Sequence, residues 1–394
     1  MSRIVLGVCG SVAAYRAADL TRDLMRAGHE VRVCLTDAAQ NFVTPLLFET
    51  LTGKPCLIEA FDEPERGRMA HLDWAREADL VVIAPASANT INRIAGGEGD
   101  DMLTTLALAY TGRMVVAPAM NPAMLSNPAT QASLAKLAER GAIIVEPIEG
   151  DVVSGETGHG KLAKNETILE VCDAVLSINS SLAGKKVLIT SGPTHEPIDD
   201  VRFIGNRSSG KMGFALARAA QMMGADVTLV TGPTSQVPPA NIRVVRVTTA
   251  EQMRSAVMAE CTDARLVIGA AAVADFRPAT KVNGKIRRSE GGLTLDLVPN
   301  PDIIAEAAKL ATQALVVAFA AEPSEDTTVA REKMAKKGVT AIAYNNVSRR
   351  DIGFESDQNE LTLFWSDGSQ DESGLRSKLS CGIWLLEHLS QKLS

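Results

Sequence analysis

Two clusters of small polar residues lie close together in the middle of the chain. The first, Ser191-Gly192-Pro193-Thr194, directly follows residues 185–190, which have the composition of a short buried strand. The second, residues 206–211, precedes a helical pattern that runs over residues 212–223. Open α/β sheets bind ligands at the carboxyl ends of their strands, and the N–H groups at a helix start favour phosphate. These residues predict a phosphate-bearing ligand.

The chain begins in a similar way. Arg3–Val8 is an apolar strand pattern, Cys9-Gly10-Ser11 forms a tight turn, and residues 12–27 have an Ala-rich helical pattern. Two further polar stretches lie at the carboxyl ends of apolar strand patterns. They are PASANT at 85–90 and APAMNPAM at 117–124. Because parallel strands end at one edge of a sheet, these stretches predict a second ligand site there.

Short apolar strands alternate with helical patterns along the whole chain, which predicts parallel sheets with helices on both faces. Strands are expected at 3–8, 30–35, 80–85, 114–118 and 142–145, and again at 187–190, 226–231, 242–247, 265–270, 314–319 and 340–344. A helix over 165–176 closes the first part, residues 177–181 form a linker, and the end differs, with a strand at 360–365 and a helix over 379–393. We therefore expect two α/β domains, 1–178 and 183–394.

The composition excludes several classes of function. A net charge of −7 and an aromatic content of 4% disfavour general binding to nucleic acid. The six cysteines contain no CxxC pair and the five histidines are dispersed, so no zinc site is expected and a reducing compartment is favoured. No apolar run approaches the roughly 20 residues of a membrane helix, so we expect a soluble, cytoplasmic protein.

The motifs of the first part indicate a particular protein family only when they are taken together. GSVAAY from Gly10, PASANT, APAMNPAM and the isolated His71 resemble the flavin-dependent cysteine decarboxylase family, which has a flavodoxin-like fold. The resemblance implies that Asn121 binds the substrate carboxylate, that Met124 also contacts the substrate, and that His71 is the catalytic histidine. It also implies that FMN contacts Gly10, Ser11, Thr36, Ser87, Asn89 and Thr90.

Decarboxylation explains these residue types. A saturated cysteinyl carboxylate has no place for the electrons released as CO₂ leaves, and FMN creates one by oxidising the CH₂–SH group to a thioaldehyde. A neutral amide such as that of Asn121 holds the carboxylate without a salt bridge that would oppose its loss. Two alternatives stay open from the sequence: His71 as a structural histidine, and Asn121 as the N-cap before Pro122.

The chain departs from this family at one catalytic position. Family members that complete the reaction have a cysteine in a flap, which is taken to donate a proton while reduced flavin returns electrons to the enethiol intermediate. Here Ser154 occupies that place, in the stretch VSGETGHGK. A serine hydroxyl is a far weaker acid than a thiol, so we expect Ser154 to be slow in this role, with His159 as a candidate substitute.

The second part resembles phosphopantothenate–cysteine ligase, the domain that follows the decarboxylase in a bifunctional bacterial coenzyme A enzyme. The matching stretches are SGPTHEPIDDVRFIGNRSSGKMG at 191–213, AAAVADFR at 270–277, KIRR at 285–288, NPDI at 300–303, VAFAAE at 317–322, residues 333–337 and GFESD at 353–357. In that family the phosphopantothenate carboxylate attacks the α-phosphate of CTP, and the amine of cysteine then displaces CMP.

Charge builds on phosphate oxygens in both steps, so lysines and Mg²⁺ are the expected stabilisers. The resemblance implies that Lys285 is the catalytic lysine, that Asn206 steadies the acyl-cytidylate, and that Asp275 holds the metal or the nucleotide. The other residues that it assigns to the nucleotide or substrate are Pro301, Asp302, Ile303, Phe319, Lys333 and Lys337. Without it, Lys285 would be interpreted as a solvated loop lysine and Asn206 as a turn or cap residue.

Together these features predict an α/β protein with an N-terminal flavodoxin-like, doubly wound parallel sheet and a C-terminal Rossmann-like ligase domain. The predicted function is the synthesis of 4′-phosphopantothenoylcysteine from 4′-phosphopantothenate, L-cysteine and CTP, followed by its decarboxylation to 4′-phosphopantetheine. Two alternatives are an oxidative decarboxylase that stops at the enethiol and a flavin-binding scaffold. A tandem NAD dehydrogenase is disfavoured because neither glycine turn follows GxGxxG. The resemblance also implies a homo-oligomer with trimeric flavin cores and dimeric ligase domains, an arrangement that is compatible with a dodecamer.

Overall fold

The computed structural model describes residues 1–59, 69–151, 157–239, 242–287, 293–322, 328–346, 348 and 355–393. The chain divides into two compact units, Met1–Ser177 and Ile178–Ser394. Each unit contains an open, largely parallel sheet.

The first unit is built around a five-stranded parallel sheet in the order β2-β1-β3-β4-β5. These strands are β1 Arg3–Val8, β2 Glu30–Leu35, β3 Leu80–Ala86, β4 Met114–Pro118 and β5 Ile143–Ile144. Every residue of β3 is buried, which is typical of a central strand covered by helices on both faces. A separate antiparallel hairpin is formed by β6 Ile148–Asp151 and β7 Thr157–Lys161.

The helices of this unit connect the strands. They are α1 Arg16–Arg26, α2 Pro45–Thr52, α3 Ala70–Glu77, α4 Ala88–Gly96, α5 Met102–Ala109, α6 Pro122–Ser126, α7 Pro128–Glu139 and α8 Asn165–Ser177, with short 3-10 helices at Val12–Tyr15 and Asp37–Asn41. The single helix expected over 12–27 was wrong. The chain makes a 3-10 turn before α1 because Ser11 caps the turn directly after β1, and such turns are common at helix starts.

The second unit contains an eight-stranded sheet in the order β12-β11-β8-β13-β16-β17-β19-β20. Its strands are β8 Lys186–Ser191, β11 Asp226–Thr231, β12 Arg243–Arg246, β13 Leu266–Gly269, β16 Leu315–Glu322, β17 Ala341–Asn346, β19 Thr362–Trp365 and β20 Gln370–Glu372. The first six of these are parallel, and β19 and β20 are antiparallel. The order reverses at β8, where the Rossmann architecture places its ligands.

Three short antiparallel pairs lie outside this sheet. They are β9 Glu196–Pro197 with β10 Phe203–Ile204, β14 Phe276–Pro278 with β15 Leu297–Pro299, and β18 Gln358–Asn359 with β21 Arg376–Ser377. The helices are α9 Lys211–Met222, α10 Ala250–Glu260, α11 Ile303–Leu310, α12 Thr328–Lys337 and α13 Lys378–Ser390, and Cys261–Asp263 forms a 3-10 turn. The first two pairs carry the segments on which the predicted catalytic residues of this unit lie.

Candidate functional site

The polar turns that the sequence singled out in the first unit meet at one edge of its sheet. Hydrogen bonds join them directly: the N–H of Cys9 donates to the carbonyl of Pro85 at 3.2 Å, and the N–H of Ala119 donates to the carbonyl of Ala86 at 3.0 Å. The turns after β1, β3 and β4 therefore form one continuous surface.

Gly10, Ser11 and Thr36 occupy the part of this edge that belongs to β1 and β2. A side chain at Gly10 would place its Cβ 2.5 Å from the Cβ of Ala38, so only glycine permits this approach. The hydroxyl of Ser11 accepts a hydrogen bond from the N–H of Ala13 at 3.3 Å. The Oγ1 of Thr36, a residue only 7% exposed, is buried and has no hydrogen-bond partner among the residues that the structure describes. A buried hydroxyl in this state is costly, which is the condition expected of a ligand-binding group.

Ser87, Asn89 and Thr90 form the start of α4. The Oγ of Ser87 accepts a hydrogen bond from the N–H of Thr90 at 3.4 Å and lies 3.2 Å from its Oγ1, while Asn89 is exposed. Burial raises the pKa of the neighbouring Cys9 thiol to about 11, although hydrogen bonds with Thr90 and Ser87 lower it. Cys9 is therefore a neutral, structural thiol at neutral pH.

Asn121 is the N-cap of α6. Its Oδ1 accepts a hydrogen bond from the N–H of Ala123 at 2.8 Å, and Pro122 fills the first helical position. The capping interpretation of Asn121 is thus confirmed, and its oxygen is the capping atom. Met124 is half exposed in the same helix.

The hairpin strand β7 lies directly against the start of α6. The N–H of Met120 donates to the carbonyl of Gly160 at 2.9 Å, and a Cβ at Gly160 would lie 2.2 Å from the carbonyl oxygen of Met120. A Cβ at Gly158 would likewise be 3.0 Å from Pro122. Since alternate residues of a strand face opposite sides, the exposed side chain of His159 points away from the Asn121 segment. Ser154 lies outside the described residues.

His71 lies in the first turn of α3 and is half buried. The helix links β2 to β3 and packs its buried Trp74 and Ala75 into the core beside Cys9 and Ile83. Because a crossover helix runs antiparallel to the strands that it joins, its first turn lies towards the carboxyl edge of the sheet. The topology therefore brings His71 towards the edge that carries the other predicted residues.

In the second unit, the start of α9 packs tightly against the end of β8. The Oγ of Ser191 donates to the carbonyl of Gly210 at 3.0 Å, and a Cβ at Gly213 would lie 2.3 Å from that Oγ. Gly210, the N-cap, has a φ of 77° in the left-handed region. This close approach explains the small-residue clusters, because larger side chains would separate the helix from the strand.

The loop after β13 carries Asp275 and is held from several sides. The N–H of Ala274 donates to the Oγ1 of Thr194 at 3.0 Å, and the Nδ2 of Asn300 donates to the carbonyl of Ala274 at 2.8 Å. The Nδ2 of Asn206 donates to the carbonyl of Val273 at 2.9 Å. The structure therefore brings Asn206 and the exposed Asp275 together.

Lys285 lies in the exposed loop that follows β14, and its neighbours Gly284 and Ile286 are hydrogen-bonded to Asp200 and Asp199. The sequence assigned these two aspartates no role. Two successive acidic residues in the turn of a short hairpin were the signal that could have identified them.

The remaining predicted residues lie around α11, α12 and β16. Asp302 caps α11 and forms an ion pair with Lys337, whose Nζ lies 2.7 and 2.6 Å from the two carboxylate oxygens. Lys333 forms an ion pair with Glu322 at the end of β16. Pro301 is half buried, Ile303 is buried, and Phe319 is half buried on β16.

A cleft of about 410 Å³ lies at the other edge of this sheet, where β13, β16 and β17 begin. Its lining includes Arg265, Thr340, Trp365, Asp367 and Lys392, and none of the predicted nucleotide residues. This cleft is therefore separate from the polar loops that carry the predicted residues.

Across the described ranges, no group of three or more His, Cys, Asp or Glu side chains is arranged to hold a metal ion. Within the same ranges, no helix has the length and apolar character needed to cross a bilayer.

Two family models match the chain in succession. The model described as Flavoprotein matches residues 1–177, and the model of the DNA/pantothenate metabolism flavoprotein C-terminal domain matches residues 182–393.

Curated relatives match nearly the whole chain. The coenzyme A biosynthesis bifunctional protein CoaBC of Vibrio cholerae is 43% identical over 369 residues, covering 93% of this chain and 92% of the relative. The protein of the same name from Escherichia coli K12 is 42% identical over 372 residues, with the same coverage. Among solved structures, the C-terminal domain of a CoaBC protein is 34% identical and covers 54% of this chain and 98% of that domain, with a TM-score of 0.47.

Proposed function

The chain belongs to the family of coenzyme A biosynthesis bifunctional proteins, and from this we propose how its two units carry out the two reactions. It is a bifunctional enzyme with phosphopantothenoylcysteine decarboxylase and phosphopantothenate–cysteine ligase activities. In our proposal residues 183–394 join 4′-phosphopantothenate to L-cysteine with CTP. Residues 1–178 then convert the product to 4′-phosphopantetheine.

The first unit offers groups that fit a bound FMN. Within the described part of the chain the buried hydroxyl of Thr36 has no hydrogen-bond partner, and the turn at Gly10 and Ser11 lies beside it at the carboxyl edge. Ser87, Asn89 and Thr90 supply further hydroxyl and amide groups at the same edge. When bound there, FMN would supply the two-electron oxidation that makes loss of CO₂ from the cysteinyl group possible.

The observation that carries the decarboxylase proposal is the fixed orientation of Asn121. Its Oδ1 is engaged by the N–H of Ala123, so the Nδ2 group is presented on the opposite side of the amide. An N–H donor there can hold a carboxylate while leaving the site uncharged. A cation would stabilise the substrate carboxylate more than the transition state, in which that negative charge is being lost. A neutral amide opposes the loss of CO₂ less.

His71 is proposed to move the proton in this reaction. Its position in the first turn of α3 brings the residue towards the sheet edge, and an imidazole can act as a general acid or base. Trp74 and Ala75 anchor the helix in the core, so the ring is carried on a fixed element.

One feature of the sequence favours a second outcome for this unit. Ser154 stands where related decarboxylases use a cysteine as proton donor, and His159 does not face the Asn121 segment within the chain. If no other group donates the proton, the reaction would stop at the enethiol, two hydrogens short of 4′-phosphopantetheine.

For the ligase, we propose that the 4′-phosphopantothenate carboxylate attacks the α-phosphate of CTP and releases pyrophosphate. The amine of cysteine then attacks the acyl carbon, and CMP leaves with the bridging oxygen. Lys285 would stabilise the charge that develops on the phosphate, and Asn206 would hold the acyl-cytidylate next to the Asp275 loop.

The charged residues around α11 and α12 fit a nucleotide triphosphate with Mg²⁺. Asp275 offers a single exposed carboxylate, which suits a magnesium ion that takes its other ligands from phosphates and water. Lys337 and Lys333 are paired with carboxylates, and we propose that they exchange these partners for phosphate oxygens. Phe319 and the segment Pro301, Asp302 and Ile303 would bound the nucleotide pocket.

An isotope experiment tests the ligase proposal directly. With ¹⁸O in the carboxylate of phosphopantothenate, the attack on CTP leaves one ¹⁸O atom in the phosphate of CMP. When both carboxylate oxygens are ¹⁸O, mass spectrometry should show every CMP molecule heavier by one ¹⁸O-for-¹⁶O replacement, because one carboxylate oxygen is transferred to the phosphate in each turnover. CMP without label would contradict an acyl-cytidylate.

The exposed apolar side chains of the second unit support a homo-oligomer. Val201, Phe203, Phe276 and Leu297 are all exposed on the neighbouring β9–β10 and β14–β15 pairs. An apolar patch of this kind is typical of a protein interface. We propose that it forms the ligase dimer and that the flavin units associate as trimers, which native mass spectrometry of the full chain would test.

A further inference from the structure

The peptide N–H groups on the two sides of Lys285 are held by two successive carboxylates. The N–H of Gly284 donates to the Oδ2 of Asp200 at 2.8 Å, and the N–H of Ile286 donates to the Oδ2 of Asp199 at 3.0 Å. Both aspartates belong to the turn between β9 and β10. The backbone that carries the predicted catalytic lysine is therefore fixed immediately before and after it.

Asp199 is the centre of this arrangement. It is only 2% exposed, and its Oδ1 accepts hydrogen bonds from the N–H groups of Val201 at 2.8 Å and Arg202 at 2.7 Å. Its Oδ2 accepts from the Nε and Nη2 of Arg202 at 3.1 and 2.7 Å. Burial alone raises the pKa of the Asp199 carboxyl, but these hydrogen bonds outweigh it and hold the pKa well below its usual range. The carboxylate is therefore ionised at neutral pH.

Further contacts fasten the same loop. The Nη2 of Arg202 donates to the carbonyl of Ile286 at 2.6 Å, and the N–H of Val282 donates to the carbonyl of Ile198 at 3.0 Å. Lys281 forms an ion pair with Asp200 at 3.0 Å. Gly284 has a φ of 79°, in the left-handed region that favours glycine. This backbone conformation and the hydrogen bonds together restrict the conformation of the loop.

The turn that holds Lys285 is also continuous with Asn206. Strand β10 ends at Ile204, two residues before Asn206, whose side chain donates to the carbonyl of Val273 beside the Asp275 loop. The hairpin thus ties the loop of Lys285 to the segment of Asn206.

We propose that Asp199 and Asp200 are positioning residues of the ligase, which fix the backbone on both sides of Lys285 so that its ammonium group meets the nucleotide phosphates. This inference rests on the proposed role of Lys285. Lys285 itself is exposed, and on an unfastened loop it would occupy many conformations, of which few would place the charge correctly. In this arrangement the two aspartates act through the backbone of Lys285.

Conservative substitutions remove this constraint. In Asp199→Asn, one of the two acceptor oxygens becomes an NH₂ group that faces N–H donors, either at Ile286 and the Arg202 guanidinium or at the Val201 and Arg202 backbone. Asp200→Asn loses its charge opposite Lys281 and, in one amide orientation, its bond to Gly284. Because the Asp200 side chain is about half exposed, this second variant tests the idea even if Asp199→Asn folds poorly.

The decisive experiment is a double-mutant cycle on the full chain. CTP-dependent ligation would be measured for Asp199→Asn, Asp200→Asn, Lys285→Gln and the two combinations with Lys285→Gln. Asp263→Asn is the matched control, because Asp263 is exposed and contacts only Lys186 among the ion pairs described, at 3.5 Å. Circular dichroism and thermal unfolding of the full chain report whether each variant is folded, because all of these residues lie in the second unit.

We expect Asp199→Asn to lower the kcat of ligation about 100-fold and Asp200→Asn about tenfold, as misplacement of a catalytic group does. In the Lys285→Gln background each should add less than about a twofold loss, because the group that they position is gone. Equal losses in both backgrounds, or unchanged ligation in both aspartate variants, would overturn the inference while leaving Lys285 catalytic. Full activity of Lys285→Gln would instead refute the proposed role of Lys285, and the inference with it.

Discussion

The two candidate sites are prepared for their ligands in opposite ways. The groups predicted to hold FMN and the substrate carboxylate at the edge of the first sheet are neutral: the hydroxyl of Thr36, which has no partner among the described residues, the hydroxyls of Ser87 and Thr90, and the amide of Asn121. The edge of the second sheet is rich in charges that are already paired, such as Lys337 with Asp302. Both edges lie at the carboxyl ends of parallel strands.

This difference follows from the chemistry that each site is proposed to perform. A site that must release CO₂ gains from neutral donors, because a cation would hold the carboxylate too firmly. A site that binds a triphosphate needs cations, and without the nucleotide those cations are stabilised by nearby carboxylates. Binding in the first unit satisfies an existing hydrogen-bonding deficit, whereas binding in the second exchanges one set of ion pairs for another.

The largest expected effect comes from charging the neutral site. Asn121→Asp keeps a good N-cap for α6 but places a carboxylate against the substrate carboxylate. We expect decarboxylation to fall by about 10²- to 10³-fold, the usual cost of losing a catalytic hydrogen-bond donor, with ligation unchanged. Assay of CO₂ release from supplied phosphopantothenoylcysteine measures this.

The chain contains a matched control for that substitution. Asn127 is the N-cap of α7 with Pro128 next to it, and its Oδ1 accepts from the N–H of Ala129 at 2.9 Å, the same arrangement as at Asn121. Asn127→Asp should leave both activities unchanged. Equal losses in the two variants would mean that Asn121 is only a cap.

A smaller effect is expected from removing a paired charge in the second unit. Lys337→Met should raise the KM for CTP about 10- to 30-fold, the value of one hydrogen bond to a charged group, with little change in decarboxylation. The neighbouring exposed Lys336 provides the control, and Lys336→Met should be close to wild type. An unchanged KM in Lys337→Met would show that the ion pair with Asp302 only stabilises the start of α11.

Thr36→Val tests whether the buried hydroxyl of the first site binds FMN. We expect the Kd for FMN to rise about tenfold, because one hydrogen bond is lost, while the FMN-free protein becomes equally or more stable since a buried unsatisfied hydroxyl is gone. Fluorescence titration and thermal unfolding measure the two quantities. Thr21→Val is the control, because its buried hydroxyl donates to the carbonyl of Ala17 at 2.8 Å. Loss of stability without loss of FMN affinity would contradict the assignment.

The smallest expected effect is a pH dependence of stability. Burial, and then the charge of Lys211, lower the pKa of Lys378 from 10.5 to about 8, against the opposing effect of Asp357. Between pH 8 and 10.5 the unfolded chain binds more protons here than the folded one, so this group makes the protein more stable as the pH rises. Relative to Lys378→Met, the wild-type melting temperature should increase by a few degrees from pH 8 to 10. A constant difference would contradict the low pKa.

The sequence predicts best where a structural signal is local. Arg3–Val8, Glu30–Leu35, Met114–Pro118 and Asp226–Thr231 were predicted with the bounds that the structure shows, because buried parallel strands are continuous apolar runs. The strand expected at 142–145 is only Ile143–Ile144, since a strand at the edge of the sheet pairs on one side.

The sequence cannot predict contacts between distant segments. The hydrogen bond from Ile286 to Asp199 spans 87 positions, and strands as short as Glu196–Pro197 have no periodicity to detect. The pairing of Lys337 with Asp302 and the unpartnered state of the Thr36 hydroxyl depend likewise on how separate elements pack. The roles assigned to individual residues of both sites therefore stay predictions until they are tested.

Following both reactions in one vessel tests most directly whether the two units complete the synthesis of 4′-phosphopantetheine. The purified protein would be mixed with phosphopantothenate, cysteine, CTP and Mg²⁺, and its products followed by mass spectrometry while FMN absorbance is recorded. We expect 4′-phosphopantetheine to form over many turnovers, with the oxidised flavin spectrum restored. Accumulation of phosphopantothenoylcysteine, or of a product two hydrogens lighter than 4′-phosphopantetheine with bleached flavin, would contradict it.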